Sequence, residues 1–396
     1  ATLVEGREFL YEQLPDLAGP YAAANVAGLP GAPSRDAQFV NGSLRAVSFY
    51  RWNVLRKYGS LQGWRDRVLE RFVRLGFNTV ACWSEQLMLD QQRVPHVRFI
   101  RPSGGDAPRA SRKFADVFDP RWEAWLQQLI VEEFVPHRHN PWLIGYFVDN
   151  ELPWRNMRLL EAPADAPLRQ RWLASVRRRY TDLQALNRTW GTSFSDFAQV
   201  RAMSADDVAP SGPMRDDMAA FEAEYAEHYF STIRRVLKHH DPDHLYMGCR
   251  FVQMPPADEI VRICGRYVDV LLVNCYSLVP DRARFTRYHE LSNRPLIMGE
   301  HHLALQSPRQ LPPLYQAFSA EQRHQGYIDY LQTWSSMPFT VGDHWYQHAD
   351  QNLTGRPSDG EDQTIGFVDI TDRPHEELWQ AARYVTQRIY GWHAGR

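Results

Sequence analysis

Two glutamates in this sequence each follow a short apolar run. Residues 143–148 lead into Asp149, Asn150 and Glu151, and residues 295–299 lead into Glu300. A continuous apolar run that ends in polar residues is typical of a parallel strand covered on both faces, and barrel enzymes hold their chemistry at the carboxyl ends of such strands. One glutamate alone would more commonly be a helix cap or an ion-pair partner. Two together indicate a glycosidase pair, in which one carboxyl protonates the leaving oxygen and the other attacks the anomeric carbon or activates water.

The elements that must position these glutamates alternate along the chain. Strands are predicted at residues 45–50, 77–83, 97–100, 143–148, 245–250, 268–276, 295–300 and 339–345, and helices at 64–75, 119–135, 218–239, 258–267, 321–335 and 375–390. About eight strand-helix units is the number of a (β/α)8 TIM barrel, an α/β fold. On that count Glu151 ends strand four and Glu300 ends strand seven.

Two segments lie outside this alternation. Residues 1–45 carry several prolines and glycines between short apolar pieces, which predicts an irregular N-terminal arm packed on a catalytic domain of residues 46–396. A long insertion follows strand four, over roughly residues 152–218, and insertions at the carboxyl end of a strand usually shape a binding site. The expected domain is therefore one decorated barrel.

The composition limits the classes of molecule that this chain is expected to bind. The formal charge of -2 over 396 residues gives no field that would favour nucleic acid or an anionic membrane. The sequence contains no run of about 18 apolar residues, so no membrane span is predicted. The 13 Trp, 18 Tyr and 19 Phe offer flat faces that suit stacking against sugars, although most belong to the core. The four cysteines lie in apolar segments and are predicted to be buried thiols.

The Asn150-Glu151 pair and Glu300 match the pattern of the clan A retaining glycosidases, and further stretches make the match narrower. These stretches are Phe49-Tyr50, Arg56-Lys57-Tyr58-Gly59, Gly76-Phe77-Asn78 with Trp83, Val117-Phe118-Asp119-Pro120, Asn140-Pro141-Trp142, His244-Leu245-Tyr246, Asn274-Cys275-Tyr276, Gly299-Glu300 with His302, His344-Trp345 with Gln347, Leu353-Thr354-Gly355-Arg356 and Gly366-Phe367-Val368. In these the chain resembles the catalytic domain of glycoside hydrolase family 50, the β-agarases.

The sequence departs from the family pattern in three respects. Family members are similar to longer proteins with an amino-terminal sandwich module, whereas a short arm precedes the barrel here. Trp83-Ser84-Glu85 stands where the family tends to have Trp-Thr-Asp, and His301 stands where an aromatic residue is usual. Because these positions are expected substrate contacts, the resemblance supports the reaction class more firmly than it supports agarose as the substrate.

The resemblance implies a role for each matching residue. Glu151 is expected to be the acid/base and Glu300 the nucleophile, with Asn150 bonding the sugar 2-hydroxyl and Tyr276 donating to Glu300. A retaining mechanism calls for a separation of about 5–5.5 Å between the two carboxyl groups, and an inverting one for about 6.5–9.5 Å. The remaining expected substrate contacts are Trp83, Glu85, Asn274, His302, His344, Trp345 and Gln347, with Trp345 as the sugar floor.

The expected function is hydrolysis of β-galactosidic linkages in a galactan polysaccharide, above all agarose or its oligosaccharides. That chemistry needs no cofactor and no metal. Several alternatives stay open: an exo-acting β-galactosidase on another glycan, a non-catalytic carbohydrate-binding barrel, and a metal-dependent hydrolase built on His301, His302, His344 and His348. A secreted or periplasmic protein is expected, and the oligomeric state is open.

Overall fold

The computed structural model describes residues 2–4, 7–26, 46–111, 113–154, 159–204, 206, 210–252, 256–307, 313, 315–356 and 359–395. Its strands are β1 (Thr2–Leu3), β2 (Ala46–Val47), β3 (His96–Ile100), β4 (Leu143–Val148), β5 (Leu245–Tyr246), β6 (Leu271–Asn274), β7 (Leu296–His301), β8 (Ala304–Leu305), β9 (Gln316–Ala317) and β10 (Thr340–Trp345). Its helices are α1 (Phe49–Tyr58), α2 (Leu61–Leu75), α3 (Gln86–Leu89), α4 (Pro120–Glu133), α5 (Pro167–Arg179), α6 (Leu183–Trp190), α7 (Phe197–Ala202), α8 (Gly212–His240), α9 (Asp258–Tyr267), α10 (Arg282–Ser292), α11 (Ala320–Ser335), α12 (Glu376–Thr386) and α13 (Ile389–His393).

Parallel pairing follows the order of the chain. One sheet has the strand order β3-β4-β5 and another the order β6-β7-β10, and every pair in them is parallel. Isolated parallel bridges extend this series: Val80 pairs with His96 ahead of β3, and Phe251 pairs with Val273 between the two sheets. Since helices lie between these strands, the α/β class expected from the alternation is confirmed.

The helix ends show why the chain turns where it does. Ser60 caps α2 by accepting a hydrogen bond from the Gly63 amide, and Gly76 ends the helix at φ 82°, which a residue without Cβ adopts readily. Asp119 caps α4, and Pro120 occupies its first turn. These helix boundaries return the chain to β3 and β4, and so they fix where Glu151 stands.

The prediction of a first barrel strand at residues 45–50 was wrong. Within the described part of this segment, residues 46–50, the strand consists of Ala46 and Val47, which pair antiparallel with β1. Helix α1 begins at Phe49 because the Ser48 hydroxyl accepts the Arg51 amide, so a local cap wins over the β propensity of the aromatic residues. The predicted strand at residues 77–83 is also shorter than expected, since only Val80 forms a bridge.

The insertion after β4 contributes α5, α6 and α7; α5 and α6 pack on the long helix α8, and α7 packs on α5. Trp172 of α5 stacks on Trp190 of α6, with ring centroids 6.1 Å apart. Asp217 of α8 accepts hydrogen bonds from Tyr180 and Trp190 at 2.6 and 2.7 Å. These buried contacts attach the insertion firmly to the face of α8.

Part of the predicted N-terminal arm lies within the described residues. The Trp52 indole donates to the Pro20 carbonyl at 3.0 Å, and Tyr21 packs against Phe49 and Trp52. Arg7 donates hydrogen bonds to backbone carbonyls of the loop after β10. Residues 27–45 of the predicted arm lie outside the described residues.

An inner cluster of apolar side chains collects residues from five successive strand segments, namely Val97, Phe147, Met247, Leu272 and Ile297. A larger cluster fills the space between the strands and the helices. All four cysteines are free; Cys249, Cys264 and Cys275 are buried and Cys82 is partly buried, so the prediction of unpaired, mainly buried thiols is confirmed. None of the helices within the described ranges has the length and apolar character needed to cross a membrane.

Candidate active site

Glu300 lies in β7 and is 6% exposed. Three side chains from three different segments donate to its carboxylate. The Trp83 indole reaches Oε1 at 2.6 Å, the Tyr276 hydroxyl reaches Oε2 at 2.6 Å, and the Arg250 guanidinium bonds Oε1. Charge-assisted hydrogen bonds of this kind hold a carboxylate in one orientation. The arrangement suits a group that must attack along one direction.

Arg250 was not singled out in the sequence, although it ends the fifth predicted strand. Its side chain is 1% exposed, and the guanidinium lies 4.2 Å from the centroid of the Phe147 ring. A buried cation is tolerated when it is paired, and Glu300 supplies the charge. The sequence did contain a signal for Arg250, because it is a basic residue at the end of a predicted strand in a chain where two other predicted strands end in acidic residues.

Glu151 lies three residues beyond the end of β4, in a turn with unusual backbone angles. Its φ is 54° and that of Asp149 is 45°, in the left-handed region where side chains other than glycine are uncommon. The Glu151 amide donates to the Arg250 carbonyl at 3.1 Å, which ties the turn to the neighbouring strand segment. Such conformations persist only where the surroundings determine them, and they cluster at functional sites.

The Glu151 carboxyl is held differently from that of Glu300. Asn274 donates its amide hydrogens to Glu151 Oε1 at 3.0 Å and to Asn150 Oδ1 at 3.4 Å. Burial raises the pKa of Glu151; the hydrogen bond from Asn274 opposes this effect, and the charge of Glu300 adds to it. A raised pKa is what a general acid requires, because the proton must be present before the reaction starts.

Asp149 is a second residue that the sequence reasoning left without a role. Its carboxyl accepts from the Tyr229 hydroxyl at 2.7 Å and from the Ser103 amide at 3.2 Å. Burial raises the pKa of Asp149 to about 6. These contacts join the β4 turn to α8 and to the loop after β3, so they fix the base of the turn that carries Glu151.

Two histidines predicted as sugar contacts lie near Glu300. His302 donates from Nδ1 to the Tyr346 carbonyl at 3.1 Å, and its ring centroid is 4.7 Å from that of Tyr276. His344 is buried, and its Nδ1 has no partner among the described residues. Burial lowers the pKa of His302 to about 3 and that of His344 to about 4, so both imidazoles are neutral near pH 7.

The other predicted contacts are placed less uniformly. Trp83 touches Glu300 and is 44% exposed, with φ 66°. Trp345 donates its indole hydrogen to the Ile365 carbonyl at 2.9 Å and packs on Phe367, so much of the ring faces the core. The Gln347 amide donates to its near neighbour Ala349 at 2.8 Å. Glu85 is exposed at the start of α3.

The metal-site hypothesis finds no geometric support in the described part of the chain, where no three or more His, Cys, Asp or Glu side chains come together as metal ligands could. His301 instead contacts Asp343 at 3.2 Å and stacks on Tyr330 with centroids 4.2 Å apart. Burial lowers the pKa of His348 to about 4, and its ring packs against Phe72.

Comparison with known proteins identifies a family for this chain. A family model described as Glyco_hydro_42, beta-galactosidase, matches residues 93–300, which is more than half of the chain and includes both glutamates. The chain belongs to this glycoside hydrolase family. The matched segment runs from just before β3 to Glu300, so the family assignment rests on the part that carries the two carboxyls.

Individual relatives lie among the β-agarases. Beta-agarase B from Vibrio sp. (strain JT0107) is 30% identical over 375 residues, which are 87% of this chain and 38% of that protein. The crystal structure of an agarase, AgWH50C, is 28% identical with a TM-score of 0.81, and the structure of an exo-beta-agarase is 29% identical with a TM-score of 0.84. Each alignment covers 97% of this chain, and 57% and 55% of the respective solved chain. The resemblance to family 50 is confirmed, and the chain spans little more than half, or less, of the length of these relatives.

Proposed function

We propose that this chain is a retaining glycoside hydrolase that cleaves β-galactosidic linkages in agarose or its oligosaccharides. The observation that carries the proposal is the contrast between the two carboxyls. Glu300 is surrounded by three donors, whereas Glu151 is partly buried, accepts a side-chain hydrogen bond from Asn274 and has a raised pKa. Two carboxyls whose surroundings differ in this way are suited to two roles, an ionised nucleophile and a protonated acid.

The proposed reaction has two steps. Glu151 protonates the glycosidic oxygen while Glu300 attacks the anomeric carbon, which breaks the bond to the leaving sugar and forms a glycosyl-enzyme ester. Glu151 then removes a proton from a water molecule whose oxygen attacks the anomeric carbon; this breaks the ester bond, releases the sugar and regenerates the Glu300 carboxylate and the protonated Glu151. Tyr276, Trp83 and Arg250 stabilise the Glu300 carboxylate as it leaves in the second step.

Sugar hydroxyls would find partners in this pocket. Asn274 Oδ1, Arg250 Nε and His344 Nδ1 are buried atoms without a hydrogen-bond partner among the described residues. Buried polar atoms are usually paired, so unpaired ones beside two carboxyls favour a polar ligand. We assign Asn150 to the sugar 2-hydroxyl, and Trp83, His302 and His344 to the sugar beside the cleavage point, with Glu85, Trp345 and Gln347 further out.

We propose that residues 46–396 form a closed (β/α)8 barrel, with the N-terminal arm packed on it. The inner cluster draws on five strand segments, as the filled interior of a small barrel does. The hydrogen bond from Trp83 to Glu300 joins the end of the second strand segment to β7, across the series rather than along it. Both contacts support a closed sheet.

Agarose as the substrate is supported by the relatives named beta-agarase. A polymer found outside cells would be met by a secreted or periplasmic enzyme, which we propose for this chain. The second candidate is an exo-acting β-galactosidase on another glycan, because the matching family model carries the description beta-galactosidase.

Product analysis separates these candidates. Agarose oligosaccharides and a panel of β-galactosides are incubated in ¹⁸O-water, and products are identified by mass spectrometry, with Glu151→Gln and Glu300→Gln as controls. Discrete agarose fragments lost in both controls would support the agarase. Cleavage of a galactoside without cleavage of agarose would support the second candidate. Turnover by either variant would overturn the assignment of Glu151 and Glu300 as the catalytic pair.

A further inference from the structure

Arg7 of the N-terminal arm makes an unusual contact with the loop after β10. Its guanidinium donates to three successive backbone carbonyls, those of Thr354, Gly355 at 2.8 Å and Arg356 at 3.1 Å. A guanidinium presents five donors in a fixed planar fork, so three converging acceptors fix the course of this backbone.

The loop held by Arg7 carries the side chain of Arg356. Arg356 Nη1 donates to the Tyr346 hydroxyl at 2.9 Å. Its other donors pair with Asp359 at 2.6 Å and with Glu361 at 2.9 Å. With carboxylates on one side and a phenol on the other, the guanidinium is held in one direction, toward the strand end.

Tyr346 is connected to Glu300 through His302 and Tyr276. Its carbonyl accepts the Nδ1 hydrogen of His302, and its ring stacks on the His302 ring at 6.1 Å. His302 in turn packs on Tyr276, which donates to Glu300. Burial raises the pKa of Tyr346 to about 12, and the charge of Arg356 opposes this effect.

We propose that Arg7 is a positioning residue for substrate: it holds the loop that carries Arg356, and through Arg356 it orients the Tyr346 hydroxyl as one wall of the sugar cleft. The inference rests on the proposed function and extends it, because it makes the arm a working part of the site. A fixed phenol with its hydroxyl directed by a cation suits a sugar, which needs both a flat face and a hydrogen-bond partner.

A double-mutant cycle of Arg7→Ala and Tyr346→Phe tests this proposal, with kcat/KM measured on agarose oligosaccharides. Each single variant should lose about tenfold, mainly through KM, and the double variant should lose no more than the worse single one, since both changes remove one linked interaction. Arg67→Ala removes an exposed arginine paired with Glu70 and should leave kcat/KM unchanged.

Additive losses in the cycle, or full activity of Arg7→Ala, would overturn the proposal. A purely structural Arg7 would lower the melting temperature without coupling to Tyr346. If Arg7→Ala does not fold, Arg7→Lys replaces it in the same cycle, with the same criterion. Glu300→Gln is measured in parallel: activity there refutes the proposed function, whereas an inactive Glu300→Gln beside an uncoupled Arg7 variant refutes only the role of Arg7.

Discussion

Gly299 precedes the proposed nucleophile, and its lack of a side chain is a requirement of the site. A Cβ at this position would lie 2.8 Å from Asn274 Oδ1 and 2.9 Å from Arg250 Nε. Neither atom can move freely, because Asn274 is fully buried and bonds Glu151, while Arg250 is 1% exposed and bonds Glu300. Gly299→Ala should therefore displace the partners of both carboxyls with a single methyl group.

The expected size of the effect follows from the contacts at risk. A hydrogen bond to a charged group contributes about 1.5–3 kcal/mol, so losing one at each glutamate would cost roughly 3–6 kcal/mol of transition-state stabilisation. That corresponds to a fall in kcat/KM of roughly 10²–10⁴-fold. Stability should fall less, by about 1–3 kcal/mol, as is typical of overpacking.

Gly342→Ala on the adjacent strand β10 is the matched control. Its Cβ would meet only carbon atoms of Ile297, at 3.6–3.9 Å, which is ordinary contact. Steady-state kinetics and thermal unfolding of both variants give the answer. If Gly299→Ala kept kcat/KM within about threefold of the wild type, the two side chains would not be acting as the supports described here.

Three further predictions concern stability. Arg250→Met should lower the free energy of unfolding by about 3–5 kcal/mol because it leaves Glu300 buried without its cation, and adding Glu300→Gln should restore most of the loss in urea titrations. Asp372 is buried with φ 61°, a backbone angle that asparagine tolerates. Asp372→Asn should lower the free energy of unfolding by about 3 kcal/mol because Arg71 loses its carboxylate partner, and kcat should be unchanged below the melting range. Burial lowers the pKa of His96 from 6.5 to about 4, so the unfolded state takes up a proton at a higher pH than the folded state does. The free energy of unfolding should therefore fall by roughly 2 kcal/mol as the pH drops from about 6.5 to about 5. In pH-dependent unfolding, His96→Phe should flatten this part of the curve.

The sequence indicated those parts of the site that depend on local pattern. The apolar runs of β4 and β7 each end in polar residues, as buried strands do where they reach a site. Glu151 and Glu300 could therefore be identified as candidates from the sequence pattern alone. The strand predicted at residues 45–50 failed because the Ser48 cap is a stronger local signal than aromatic β propensity. At this position a capping serine predicts the start of a helix better than aromatic residue type predicts a strand.

The supports of the site were not predictable from spacing. The contact between Arg250 and Glu300 joins residues 50 positions apart, and the contact between Asp149 and Tyr229 joins residues 80 apart. Such pairs form only after the sheet and α8 have brought distant segments together. Asn274 entered through the resemblance as a sugar contact, and the structure places its amide on Glu151.

The proposed mechanism requires Glu300 to form a covalent bond with the sugar. A fluorinated galactoside with a good leaving group slows the second step more than it slows the first, so the glycosyl-enzyme accumulates and can be digested and mapped by mass spectrometry. We expect one added sugar per chain, on the peptide that contains Glu300, and none in Glu300→Gln. A label on another residue, or turnover with inverted anomeric configuration and no label, would contradict it.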